Sequence, residues 1–539
     1  MLLVSLAAVA EVPAGPAQAD GLLPAYGTDV RVGDLRQQFD RSGNAGPKTL
    51  SDRTWTFNPA LDISETYDSA VLLPGSRGAD YITRITPIFA GTVDSQRLKG
   101  ALNYAPSYNF YALHGAESGL THNLNTNATA TLVQDLLFAN VSGFAATQPL
   151  LGAGGPISGP TGGTSGRVNE VQSTNFSAGP YIQKRFGDLA TVNAGYTVSR
   201  TTTTSLAPKS SLSSPAGSSP AGSSPARSVL AGAVGNFSSQ QEQGSVTTGP
   251  DFGRINGSLA AMATQYDGAG VYRGAHSETY TAAGGYAITR MVTATASVGH
   301  ETIIYGPGGP KPIDGVTWSG GVVLTPNADS TITAKYGHQQ GSTSFSFDGS
   351  YAVTQRLRLL ARYSQGVGTS LQNLQNALAN TTTGPGGFAV DQTTGAPVQL
   401  GNLLTQQPGV YRTTIASVSA VYLLDRDSVS LDWSNSQRLL LSGGSGVGFG
   451  SGSTMTASGR WQHMLSEALT ASATLQYSIR SFPGFRGDSE TATGSITITY
   501  LLSETVSTNL LVSHAETKGQ TFGLPPVRDL AVVGLHKAF

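Results

Sequence analysis

Charged residues are so scarce in this chain that each one inside a patterned stretch is a candidate for chemistry. Only 12% of the 539 residues are Asp, Glu, Lys or Arg, against about 25% in soluble domains. Lys335, Asp348, Arg358, Arg362 and Asp432 stand in alternating runs, each on the parity opposite its aromatic and aliphatic neighbours. In SFSFDGSYAVTQRLRLLARY, Phe345, Phe347, Tyr351 and Val353 share one face and Asp348 holds the other. A turn centred near Gln355 pairs Tyr351 with Leu359, and the same register sets Asp348 opposite Arg362. Charges placed this way brace a wet wall or touch a charged solute. The residues alone leave both open.

The chain has no Walker loop, HExxH, GxSxG or paired-Cys metal motif, and no cysteine at all. Its 8 histidines are scattered. A lipase built on a membrane barrel needs a Ser–His pair, and nothing in the spacing selects His338 or His514 for it. The glycine-rich run Gly444 to Gly452 reads as a loop, since no helix start follows it to cradle a phosphate. No catalytic residue, metal or cofactor is expected, and the chain is not expected to be an enzyme. A net charge of −1 gives no surface for nucleic acid.

The elements that position these charges are strands. In RLKGALNYAPSYNFYAL, starting at Arg97, Leu98, Gly100, Leu102, Tyr104, Tyr108 and Phe110 share one parity, while Lys99, Asn103, Ser107 and Asn109 hold the other. Period two is the signature of a β-strand. The run is twice the usual length of about 5–6 residues, and matches the roughly 9–11 that a tilted strand needs to cross a bilayer. The pattern recurs to the C-terminus, as in Trp318, Gly320, Val322 and Leu324, then Ile332, Ala334 and Tyr336. Pairs of strands turn tightly at Phe186–Leu189, Val353–Arg356, Leu424–Asp427, Leu465–Ala468 and Leu502–Thr505. Long Gly/Pro/Ser-rich segments at 147–169, 204–235 and 367–410 join the opposite ends. Short turns on one side and long loops on the other are what a transmembrane up-and-down β-barrel requires, with turns periplasmic and loops extracellular.

Both ends of such a barrel lie in the periplasm, so the strand number must be even. Including the polar stretch Asn236 to Thr248, with a turn at Gly249-Pro250-Asp251, gives about 22 strands, within a range of 18–22. The last strand, AVVGLHKAF, carries Phe539 at the end and Gly534 before it, an outer-membrane assembly signal that Lys537 interrupts. Tyr104, Tyr108, Phe110, Trp318, Phe345, Phe347 and Tyr351 are expected to face lipid. At the other terminus, apolar Leu2 to Ala10 and Ala17-Gln18-Ala19 predict a signal peptide over 1–19. Residues 20–54 are then an irregular periplasmic segment, and 55–539 the barrel, in the outer membrane of a Gram-negative bacterium.

Barrels of 22 strands are usually plugged. The roughly 35 residues between Ala19 and the barrel are too few for a folded plug, so a loop must supply one. SLQNLQNALAN, Ser370 to Asn380, is the best candidate: Leu371, Leu374 and Leu378 recur at helical spacing and Ser370 can cap the helix. It is predicted to fold inward and gate the pore.

In NPALDISETYDSAVLL from Asn58, DYITRITPIFAGTV from Asp80 and ALNYAPSYNFYAL, the chain resembles the outer-membrane β-barrel family found with exopolysaccharide biosynthesis loci and exosortase (PEP-CTERM) systems. KRFGDLATVNAGYTVSRT and TSLQNLQNALA resemble later blocks of that family. The resemblance implies a channel for export of an exopolysaccharide. A structural or adhesive surface barrel without transport and a general diffusion porin stand as alternatives. The expected partners are outer-membrane lipid and lipopolysaccharide, the outer-membrane assembly machinery, and a polysaccharide with its periplasmic export components.

Overall fold

Alternation that long leaves each strand with one apolar and one polar face, and a row of backbone donors and acceptors along each edge. In a bilayer those edges must be paired, so the sheet has to close on itself. The structure is a computed structural model that describes residues 54–73, 76–149, 170–206, 235–369, 372, 381–383, 389–391, 409–442, 451–481, 487–519 and 526–539. The expected signal peptide, nearly all of segment 20–54, and the interiors of the three long loops lie outside these residues.

The described residues form a closed sheet of 22 antiparallel strands, each paired with the next in chain order. Strand lengths run from 10 residues (Ser330–Gln339) to 19 (Trp55–Leu73). Val527–Ala538 returns to pair with Trp55–Leu73, from Ala60 opposite Ala538 to Asp68 opposite Leu530. On the interior side of this seam, Arg528 grips Asp68 through Nε (3.0 Å) and Nη2 (2.5 Å). Below it His536 Nδ1 meets Asp62 Oδ1 at 2.5 Å. Gly534 pairs with Ser64, and the Phe539 N–H donates to Pro59 O at 3.0 Å.

The polar strand that makes the count even, Gly235–Thr248, pairs with Ala190–Ser205 on one side and Ile255–Gly268 on the other. Its outward parity carries Gln240 and Glu242. The ladder holds it in place without an apolar face of its own, which is why its periodicity is weak.

Two features differ from the expected pattern. The side carrying the long loops also has a tight turn at Gln340–Gly341, with φ of +50° and +66°. The Gln340 side chain fixes this low point of the rim by accepting the Val367 N–H at 2.6 Å, while its own N–H donates to Glu301. The expected loop 367–410 begins and ends in strand, since Leu357–Thr369 and Val410–Leu423 reach its edges. A two-stranded sheet, Thr381–Thr383 with Ala389–Asp391, also lies within it.

Candidate functional site

Register decides what each side chain faces. Tyr108 pairs with Ile85 and Leu120, Trp318 with Val298, and Tyr336 with Phe345, and all of these are exposed on the outer wall. Phe110 and Tyr351 share that face. Phe347 stacks on Phe345 at 6.4 Å, and Tyr104 lies between Phe89 and the ring of His122. Residues of the other parity form hydroxyl pairs between strands: Ser142 with Ser177 (2.7 Å), Ser199 with Ser239 (2.7 Å) and Ser297 with Ser319 (2.6 Å). A wall apolar outside and hydroxylated inside is stable only with lipid around it and water within. The chain is an outer-membrane β-barrel.

The five charges singled out by spacing all stand on the interior parity. Asp348 is opposite Arg362, with 3.9 Å between Oδ2 and Nε. Lys335 is opposite Ser346, Arg358 opposite Ala352, and Asp432 opposite Ser419. Three further cations on the neighbouring strands were not singled out by spacing. Arg438, Arg460 and Arg480 sit on the interior parity of Asp427–Ser442, Gly452–Met464 and Leu469–Ser481. The signal for Arg460 and Arg480 was present in RWQHM and in YSIR, where each arginine alternates against Trp461 or Tyr477. Arg438 lies over the Tyr411 ring, 5.5 Å from its centroid.

The outer mouth holds a second arrangement that spacing did not reveal. Inward-facing Phe237 and Tyr266 pack with Val271, Tyr272 and Ala275 of loop 269–275, and with Val367 and Val410. Tyr305, Ile313 and Leu441 border the cluster. Phe237 and Tyr272 stack with centroids 4.5 Å apart and planes 5° apart. Burial raises the phenols of Tyr272 and Tyr305, both in loops, above the ordinary tyrosine value. These residues come from the eighth and ninth strands and from the fifteenth to seventeenth, far apart around the ring. Two loops bridge the distance above the low Gln340 turn. Gly306 N–H donates to Val271 O at 2.8 Å, and Ser442 Oγ donates to Gly308 O at 3.0 Å. Glycine at 306 is required by close approach, because a Cβ there would stand 2.4 Å from Arg273 O.

Of the expected gate, Gln372 alone is described, and it joins this cluster. Thr369 N–H donates to Gln372 Oε1 at 2.9 Å, and Gln372 N–H donates to Thr369 Oγ1 at 3.1 Å. This reciprocal pair has the hydrogen-bond pattern of a capping box; Ser370, the expected cap, lies outside the described residues. The Tyr272 hydroxyl bonds Thr369, and buried Gln372 bonds the Tyr266 side chain. Leu371, Leu374 and Leu378 lie outside the described residues.

His338 Nδ1 meets Thr343 Oγ1 at 3.1 Å and His514 Nδ1 meets Asp529 Oδ1 at 2.6 Å, both on the outer wall. Among the described residues no three His, Cys, Asp or Glu side chains gather around a metal position.

No family model and no curated protein matches the chain. Among solved structures it is similar to the ferric-catecholate import receptor Fiu of E. coli K12 in its open form, at 12% identity and a TM-score of 0.48, covering 89% of this chain and 81% of that one. The siderophore receptor PiuA of Acinetobacter baumannii gives 11% and 0.47 over 89% and 82%. Pseudomonas aeruginosa OpdQ gives 8% and 0.35 over 90% and 97%. At these values the fold rests on this chain's own strand pairing.

Proposed function

We propose that this barrel is an outer-membrane channel that carries an exopolysaccharide out of the cell. The observation that supports this most is the lumen wall. Serine, threonine and asparagine line it from strand to strand, with cations spaced among them. Such a surface exchanges hydrogen bonds with a hydrated sugar chain at nearly equal free energy, so a polymer slides along it without being trapped. The family resemblance of the strands following Asn58 points the same way. The aromatic cluster, with Thr369 and Gln372 bonded to it, acts as the outer closure that a lumen this wide requires.

Two measurements test the reading. The purified protein should conduct in planar bilayers, and a strain lacking it should retain extracellular polymer inside the envelope. No conductance sinks the channel and leaves a structural or adhesive barrel. Conductance with normal polymer export in the deletion strain leaves a general diffusion porin.

A further inference from the structure

The lumen is electrically lopsided. From Ser330–Gln339 to Leu469–Ser481, the interior parity carries six cations, Lys335, Arg358, Arg362, Arg438, Arg460 and Arg480, against two carboxylates, Asp348 and Asp432. Asp348 is taken up by Arg362, and Asp432 accepts from Ser419 and Ser430. The facing wall, from Gly119–Val133 to Ile313–Asn327, has only Arg185 and Glu301 on the same parity. Arg185 is bound to Asp188 at 2.6 Å, and Glu301 accepts the Gln340 N–H. Around the seam, Asp68 pairs with Arg528, Asp62 with His536, Asp80 with His114 and Asp94 with Lys99, while Arg84 donates to Asn109 Oδ1 at 2.7 Å and feels the charge of Glu170.

The cations are also spread along the axis. Arg358 is the second residue of Leu357–Thr369, at the periplasmic end. Arg460, Lys335 and Arg362 stand four to five residues in from that end, while Arg438 and Arg480 each stand eleven in. At about 3.4 Å per residue and a tilt near 40°, the charges climb roughly 25 Å. The two outermost arginines flank one strand, and the charge of Arg438 acts on Arg480. Arg480 Nη2 is buried with no hydrogen-bond partner among the described residues. Two like charges held together, one with an unused donor, form a site for an anion.

We infer that the lumen is selective for anions, and that its cargo is a carboxylate- or phosphate-bearing polymer that moves along the cationic wall with Arg438 and Arg480 as its outer binding step. This rests on the channel reading and names the chemistry of what passes. The neutral wall opposite lets the sugar rings slip while the charged wall orients them.

The test is a reversal potential in a tenfold KCl gradient across a planar bilayer. Wild type should favour chloride over potassium. One charge acting across about 8–10 Å of water changes local ion concentration about twofold, so Arg438→Gln with Arg480→Gln should lower the chloride preference about fourfold. Arg438→Lys with Arg480→Lys should keep it, separating charge from packing. Oligogalacturonate should block the current at lower concentration than malto-oligosaccharide of the same length, and that difference should shrink in the glutamine variant. A wild type that prefers potassium or neither ion, or a glutamine variant with unchanged preference, overturns the inference while the channel stands. Absence of any current removes the channel and this inference together.

Discussion

Tyr272 sits in the middle of the aromatic cluster at the outer mouth, and the proposed closure turns on it. It stacks on Phe237 at 4.5 Å, lies 6.4 Å from the Tyr266 ring, is 6% exposed and bonds Thr369. Tyr272→Ala removes a fully packed aromatic, a change worth about 3–5 kcal/mol in a core. The barrel itself is held by continuous ladders far from this loop, so the loss falls on the contact of loop 269–275 with Thr369, Val367 and Val410. A loss of about 3 kcal/mol multiplies the open fraction by roughly 100. Tyr272→Phe removes only the hydroxyl and costs about 1 kcal/mol. Single-channel recording and uptake of large antibiotics read the result: conductance and antibiotic sensitivity should rise strongly in the alanine variant and slightly in phenylalanine. A heat-modifiable, fully assembled Tyr272→Ala barrel with wild-type conductance and exclusion would refute the closure.

Cysteines at Asp348, Arg358 and Arg362 should react with a water-soluble reagent admitted to the lumen, while cysteines at Phe347, Tyr351 and Leu359 should not; reversed reactivity means the register is off by one residue. Arg528→Leu leaves the fully buried Asp68 carboxylate without its bidentate partner. It should cost about 3–5 kcal/mol and lower the temperature at which the barrel unfolds on SDS gels. Deleting residues 370–380 takes away Gln372 and the segment it starts, so conductance should rise in an assembled barrel; unchanged conductance would exclude that segment from the gate.

Amino-acid order alone determined the wall. Alternation is a local property, set by opposite side-chain directions on successive strand residues, and lipid outside with water inside demands it of every strand. That is why the membrane-facing parity of Tyr108 or Trp318, the register of Asp348 against Arg362, and an even strand count including Asn236–Thr248 could be read in advance. The mouth could not. Phe237, Tyr266, Tyr272 and Val410 belong to strands and loops with no shared period, and they meet because loops 269–275 and 305–312 cross above a hairpin that turns early at Gln340. The reciprocal bonds between Thr369 and Gln372 have the same origin, since Thr369 is held by Tyr272, distant in sequence. The lopsided charge of the lumen lies between these cases. Each arginine's parity is written in its own strand, but only closure of the ring sets the cationic strands side by side and leaves a neutral wall facing them, because adjacency across a barrel is a property of the whole sheet.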